Sequence, residues 1–166
     1  MSWLKLDDRD IRILSILSRE GRISKAELAN RVNLTPSPCW ERLKRLEAAG
    51  IICGYRAEIS LKQITPHVVI FVTVELESHR SANFQAFERA VAECDEIIAC
   101  WAVGGGFDYL LQIVTRDIDS YQRLIDSLLA HGLGLVRYYT YVETKTVKIA
   151  GTFPFKTLLA QPDPKK

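Results

Sequence analysis

The chain has 166 residues with 22 Lys and Arg against 20 Asp and Glu, and its 48% hydrophobic and 25% charged content matches ordinary globular usage and excludes wholesale disorder. At roughly 100 to 200 residues per domain, this length holds one medium domain or two small ones. The apolar stretch Val68 to Val74 falls far short of the ~20 residues that span a bilayer, and the opening MSWLKLDDRD is charged where a signal peptide is apolar, so a cytoplasmic chain with no membrane partner is expected.

The net charge of +2 is too mild to argue for a partner, but its distribution is uneven. Residues 1–63 hold 12 Lys and Arg against 8 Asp and Glu, whereas residues 64–166 hold 10 against 12. A basic first third is what a chain shows when that part alone meets a polyanion. Cys39, Cys53, Cys94 and Cys100 form no CxxC pair and sit near no His cluster, so they read as reduced, mostly buried thiols rather than a metal site or a disulfide framework.

Three short helices are predicted in the first fifty residues. Asp7 or Asp8 can cap the first, which carries Ile11, Ile13, Leu14 and Leu17 at helical spacing over roughly 8–19. Gly21 breaks it, and Ser24 with Glu27 makes a capping box for a second helix of about eight residues bearing Leu28, Ala29 and Val32. Thr35 then caps, and Pro36 opens, a third helix ending at Gly50. The short connection before the third helix is that of a helix-turn-helix, and Ile51 to Tyr55 favours a strand, giving winged-helix grammar. Residues 56–66, mixed in polarity and closed by a proline, form the expected linker.

From His67 the period changes to that of a strand. Strands at 67–77, 96–103, 107–115 and 135–148 alternate with amphipathic helices at 81–93 and 117–131, the βαββαβ order of a ferredoxin-like domain. The expected fold class is thus α+β: a winged helix-turn-helix over 1–55, the linker, a ferredoxin-like domain over 67–149, and a tail over 150–166. Both helices cover one sheet face, and an apolar second face calls for a partner, most economically a second copy. The alternative cover, the proline-containing tail, is short.

On a helical wheel Cys39, Leu43 and Leu46 face inward while Ser37, Glu41, Lys44 and Arg45 lie opposite, with Pro38, Trp40 and Arg42 on the borders. Hydroxyl, carboxylate and guanidinium groups displayed behind a tight turn suit a major groove, and the bland counterpart is a solvated helix. Trp40 reads more readily as a core-edge anchor than as a base contact. Gly104-Gly105-Gly106 lacks the spacing of a phosphate-binding loop and leads into a strand, so it reads as a turn beside which Asp108 can receive an ammonium group. No catalytic residue, metal ligand or cofactor is assigned: the three Asp near the start fit helix capping, and His67, His79 and His131 are scattered.

Leu6 to Leu14, Gly21 to Ser24, Glu27 to Ala29, Leu34 to Glu47 and Gly50 to Tyr55 resemble the Lrp/AsnC, or feast/famine, regulators, and Gly105 to Tyr109 with Thr140 to Val142 resembles that family's effector domain. The resemblance implies a transcription regulator that binds double-stranded DNA, senses a small effector such as an amino acid or its catabolite, and assembles as a homodimer and further to a tetramer or octamer. It places Thr35, Ser37, Pro38, Trp40, Glu41, Arg42, Lys44 and Arg45 in or beside the DNA groove, and Gly104, Gly105, Gly106, Phe107, Asp108, Tyr109 and Thr140 around the effector. Two features depart from the family pattern: Gly106 offers no side chain where a polar one is frequent, and Trp101 is a bulky neighbour expected to narrow the pocket. The alternative reading is an architectural DNA-binding protein without ligand response.

Overall fold

Asp7 starts the first helix, α1 (Asp8–Leu17), by accepting from the amides of Arg9 and Asp10, while the Asp10 carboxylate returns a bond to the Asp7 amide. The computed structural model describes residues 4–148, 151 and 153–159, so 149, 150, 152 and 160–166 of the expected domain end and tail lie outside the described residues. The chain divides into two units, Met1–Glu58 with Lys148–Lys166, and Ile59–Val147.

In the first unit, the Ser24 hydroxyl accepts from the Glu27 amide at 3.1 Å to start α2 (Lys25–Arg31). Asn33 adopts φ 55° and Leu34 donates to the Ala29 carbonyl at 2.9 Å, which turns the chain within three residues. Asparagine tolerates this left-handed conformation better than most side chains. Pro36 then opens α3 (Pro36–Ala48), whose missing amide costs nothing there, although the Thr35 hydroxyl makes no capping bond. Gly50, at φ 68°, closes α3: its amide reaches the Glu47 carbonyl and that of Ile51 reaches Leu46, so two end carbonyls are satisfied. Ile13, Leu28, Ala29, Val32, Cys39 and Leu46, all at most 3% exposed, form the core of this unit.

The predicted wing strand at Ile51 to Tyr55 is absent; the segment is irregular. No strand pairs with it among the described residues, and a lone strand leaves its backbone groups unsatisfied. Toward the other end of the chain, Phe153 begins a segment whose short helix α6 (Phe155–Leu158) sets Phe155 against the helical core.

The second unit has the order β1 (Val68–Leu76), α4 (Ser81–Ala92), β2 (Ile97–Ala102), β3 (Tyr109–Thr115), α5 (Ile118–Ala130) and β4 (Leu135–Val142), preceded by a 3₁₀ turn at Leu61–Gln63 within the expected linker. The sheet runs β2-β3-β1-β4 with every pairing antiparallel. Cross-strand rows fix the faces: Val72 lies between Leu111 and Thr140, and Val74 between Tyr109 and Tyr138. On this side Ile70, Val72, Leu111 and Ile113, all fully buried, pack with Phe87 of α4 and Ile125 of α5. The opposite face carries Val69, Phe71, Leu110 and Val114, with Trp101, Tyr139 and Tyr141 exposed at 46, 55 and 55%. β4 ends at Val142, opposite Ile70 and six residues before the expected end, and beyond it the Glu143 amide still donates to the Val69 carbonyl at 2.8 Å.

Candidate nucleic-acid and effector sites

Helix α3 is anchored from beneath by Cys39, Leu43 and Leu46, which bury the face expected from the wheel. Thr35, Ser37, Glu41, Lys44 and Arg45 are exposed, and Pro38, Trp40 and Arg42 are half-buried at the borders. The two arginines are not free. Arg42 donates to Asp7 at 2.7 Å and to Asp10 at 2.8 Å, and Arg45 donates to the second Asp10 oxygen at 2.6 Å. The Asp10 side chain is 1% exposed, so both its oxygens are satisfied by guanidinium groups in a site that water barely reaches. The Asp10 amide, with help from Arg42, holds the Asp7 carboxyl below the usual carboxylate range. Arg42 therefore ties α1 to α3 and serves the fold as well as the helix border. Arg45 is more open, with 45% of its side chain exposed.

Trp40 sits between α2 and α3 as a partly buried plate, as its core-edge reading requires. The ammonium of Lys25 lies 3.3 Å from its ring centroid and that of Lys44 lies 5.1 Å away. Lys25 is a position that sequence reasoning missed, because contact with Trp40 appears only once α2 and α3 are folded together.

The glycine hairpin joins β2 to β3. Gly105 takes φ 141°, a conformation that other residues rarely adopt, and open space surrounds all three glycines. Asp108 closes the loop through its backbone, with its amide donating to Val74 and its carbonyl accepting from Val103. Its carboxylate accepts from the Leu76 amide at 2.8 Å and contacts His79 Nε2 at 3.0 Å. Phe107 is half-buried. Tyr109 is 2% exposed and belongs to the core, with its ring against Phe87 and its hydroxyl donating to Glu88 at 2.9 Å. Burial first, and then Glu88, push the Tyr109 phenol up.

Thr140 stands in the Val72 row, two strands across from Leu111, while the hairpin lies beyond the Tyr109 row; its hydroxyl bonds to Tyr121 of α5. A single subunit thus gathers Asp108 and the glycines but does not bring Thr140 to them. Trp101 pairs with Leu110 on the open face. A cleft of about 370 Å³ beside Glu88, Cys100 and Tyr109 lies on the helix-covered side. All four cysteines are free, with Cys39 buried, Cys94 and Cys100 intermediate and Cys53 exposed, so the expected burial holds only in part. Among the described residues no group of His, Cys, Asp and Glu could hold a metal ion, and no helix is long and apolar enough to cross a membrane.

Comparison with known proteins gives this arrangement a lineage. Residues 6–52 match a winged helix-turn-helix DNA-binding family model, and residues 69–153 match the Lrp/AsnC ligand binding domain. The chain is 48% identical over 145 residues to the transcriptional regulatory protein DoeX of Halomonas elongata, covering 87% of this chain and 92% of that one. It is 38% identical over 152 residues to the leucine-responsive regulatory protein of Escherichia coli K12, covering 92% and 93%. A Neisseria meningitidis transcriptional regulator solved as an L-Met complex superposes with a TM-score of 0.86 at 34% identity, covering 93% of this chain and all of that one. With the helix-turn-helix, the βαββαβ sheet and these relatives in agreement, the chain belongs to the Lrp/AsnC family of DNA-binding transcriptional regulators with a ligand-binding domain.

Proposed function

We propose that the protein works as a homodimer, able to assemble to a tetramer or octamer, that lays α3 of each subunit in successive major grooves and changes its assembly when an amino acid or amino-acid catabolite binds near the glycine hairpin. The observation carrying this reading is the outer side of α3. Ser37, Glu41 and Lys44 stand exposed behind a turn of fixed geometry, while the arginines beneath them stiffen the helix. Two such helices in a twofold dimer reach half-sites about 34 Å apart. The sheet face bearing Trp101, Tyr139 and Tyr141 supports the pairing, since soluble monomers seldom expose contiguous apolar patches beyond a few hundred Å².

Thr35, Pro38, Trp40 and Arg42 border the groove in this reading, with Arg45 sharing its charge between Asp10 and phosphate. The effector would meet Gly104, Gly105, Gly106, Phe107 and Asp108, and an effector ammonium would displace His79 from the Asp108 carboxylate. Tyr109 would act through the position of its backbone, and Thr140 would join the site through another subunit. The L-Met complex of the Neisseria relative and the leucine-responsive name of the Escherichia one favour amino acids as the ligand class. One observation favours the alternative, an architectural DNA binder without effector: Asp108 already has two partners in the chain.

A thermal-shift screen of amino acids separates the two, because a ligand that binds only the native state raises the midpoint. We expect at least one amino acid to raise it in the wild type and not in Asp108→Ala. No response to any, alongside retained DNA binding in anisotropy titrations on the upstream region of its own gene, would select the architectural reading.

A further inference from the structure

We propose that Lys25 and Lys44, both held at the Trp40 ring, form a clamp for one DNA backbone phosphate at the α2/α3 edge. The proposal rests on the DNA-binding reading above and adds to it a residue outside the third helix.

Two ammonium groups at 3.3 and 5.1 Å from one ring centroid are like charges drawn together on an electron-rich plate. Neither pairs with a carboxylate among the described residues, whereas Arg31, Arg42 and Arg45 of the same unit all do. The fold has thus spent these arginines on its own carboxylates and left the two lysines with only the indole face. Their repulsion is relieved by an anion that both can reach, and a phosphodiester oxygen is the anion that a groove-bound α3 brings to its border.

The placement is rigid at its base. The Ser24 cap fixes where α2 begins and hence where Lys25 emerges, and Trp40 packs on the helical core. Lys44 leaves α3 one turn after Trp40. Trp40 is accordingly a positioning residue that aims both lysines, not a reader of bases, and the clamp fixes register without reading sequence.

The test uses the full chain and a labelled duplex from its own upstream region, titrated by anisotropy over a range of salt. Neutralising a phosphate contact lowers the slope of log affinity against log salt by about 0.9 per contact. Lys25→Gln should therefore shallow the slope by about one unit per bound subunit and weaken specific and competitor DNA by the same factor; Lys25→Arg should restore the slope. The Lys25→Gln/Lys44→Gln double variant should lose less than the sum of the single losses, because both serve one phosphate. An unchanged slope in Lys25→Gln, with the wild type binding steeply, overturns the clamp alone; a wild type that ignores DNA at low salt overturns the clamp and the DNA reading together. A lowered melting midpoint in Lys25→Gln with an unchanged slope marks a structural role and also overturns the clamp. Inorganic phosphate at matched ionic strength should leave the wild-type midpoint unmoved; a rise that Lys25→Gln abolishes would make this a free-anion site and overturn the DNA assignment.

Discussion

Asp10 shows what a single position can decide. Its carboxylate is buried, and a buried carboxylate is tolerable only when paired and hydrogen-bonded, so Arg42 and Arg45 together make it affordable. Removing Arg42 leaves Asp10 with one guanidinium and Asp7 with none. Arg42→Ala should lower unfolding stability by about 3 kcal/mol, the lower end for breaking a buried pair because Arg45 remains; urea unfolding followed by circular dichroism measures it, and a midpoint equal to the wild type would refute the tie. The same cluster sets an acid limit. The Asp7 carboxyl is depressed in the folded state, so its contribution is fully present above the unfolded value near 3.8 and is lost as pH falls through the lower folded value. The melting midpoint should therefore be flat above about pH 5 and decline below about pH 4, less steeply in Asp7→Asn than in the wild type. None of this was visible on the helical wheel. A wheel gives the direction in which Arg42 leaves α3, but its partners lie over thirty residues away in sequence, and only the packed helices reveal them.

At the level of elements, the helices were legible because each carries its own punctuation. Ser24 and Asp7 cap, Pro36 opens and Gly50 closes, and these local bonds form wherever the tertiary structure lets them. The four strands and two helices of the second unit were legible for the same reason, through alternation and amphipathic spacing. The wing strand and the end of β4 were not, because a strand exists only while it is paired, and periodicity says nothing about where pairing stops. The place of the tail was not legible either. The sequence marks it only as a poor cover for the sheet, whereas Phe153 and Phe155 line a groove of the first unit with Leu14, Leu17, Ile52 and Tyr55. Phe155→Ala should cost roughly 2 kcal/mol, about half the loss for a fully buried phenylalanine, since the ring is half-buried. Differential hydrogen exchange should then show α1 amides opening faster while those of β1 and β3 keep their protection. Equal protection of α1 in the two proteins would leave Phe155 without a structural role there.

For the whole molecule, the decisive feature is a sheet finished on one face only. Val72, Val74, Leu111 and Ile113 are covered by α4 and α5, but the row across the other face runs from Trp101 through Leu110 and Thr73 to Tyr139, with Phe71 and Tyr141 in the next row. Three of these aromatics are about half-exposed, which is uncommon for large rings on a lone soluble subunit. Burying them against the same face of a second copy would satisfy both subunits at once, since a twofold contact uses one self-complementary patch. A charge placed within it tests this. Tyr139→Asp would put a carboxylate into that apolar contact, so desolvation opposes association, and light scattering coupled to size exclusion should show a monomer where the wild type is expected to give a dimer or larger. Circular dichroism should stay unchanged, because Tyr139 is exposed in the subunit. Its DNA affinity should fall by a hundredfold or more at moderate salt, since two recognition helices no longer act as one ligand and the advantage of a tethered second contact, about 10²–10⁴, is lost. A Tyr139→Asp protein that remains dimeric would place the subunit contact elsewhere on the fold and leave the aromatic face to another partner.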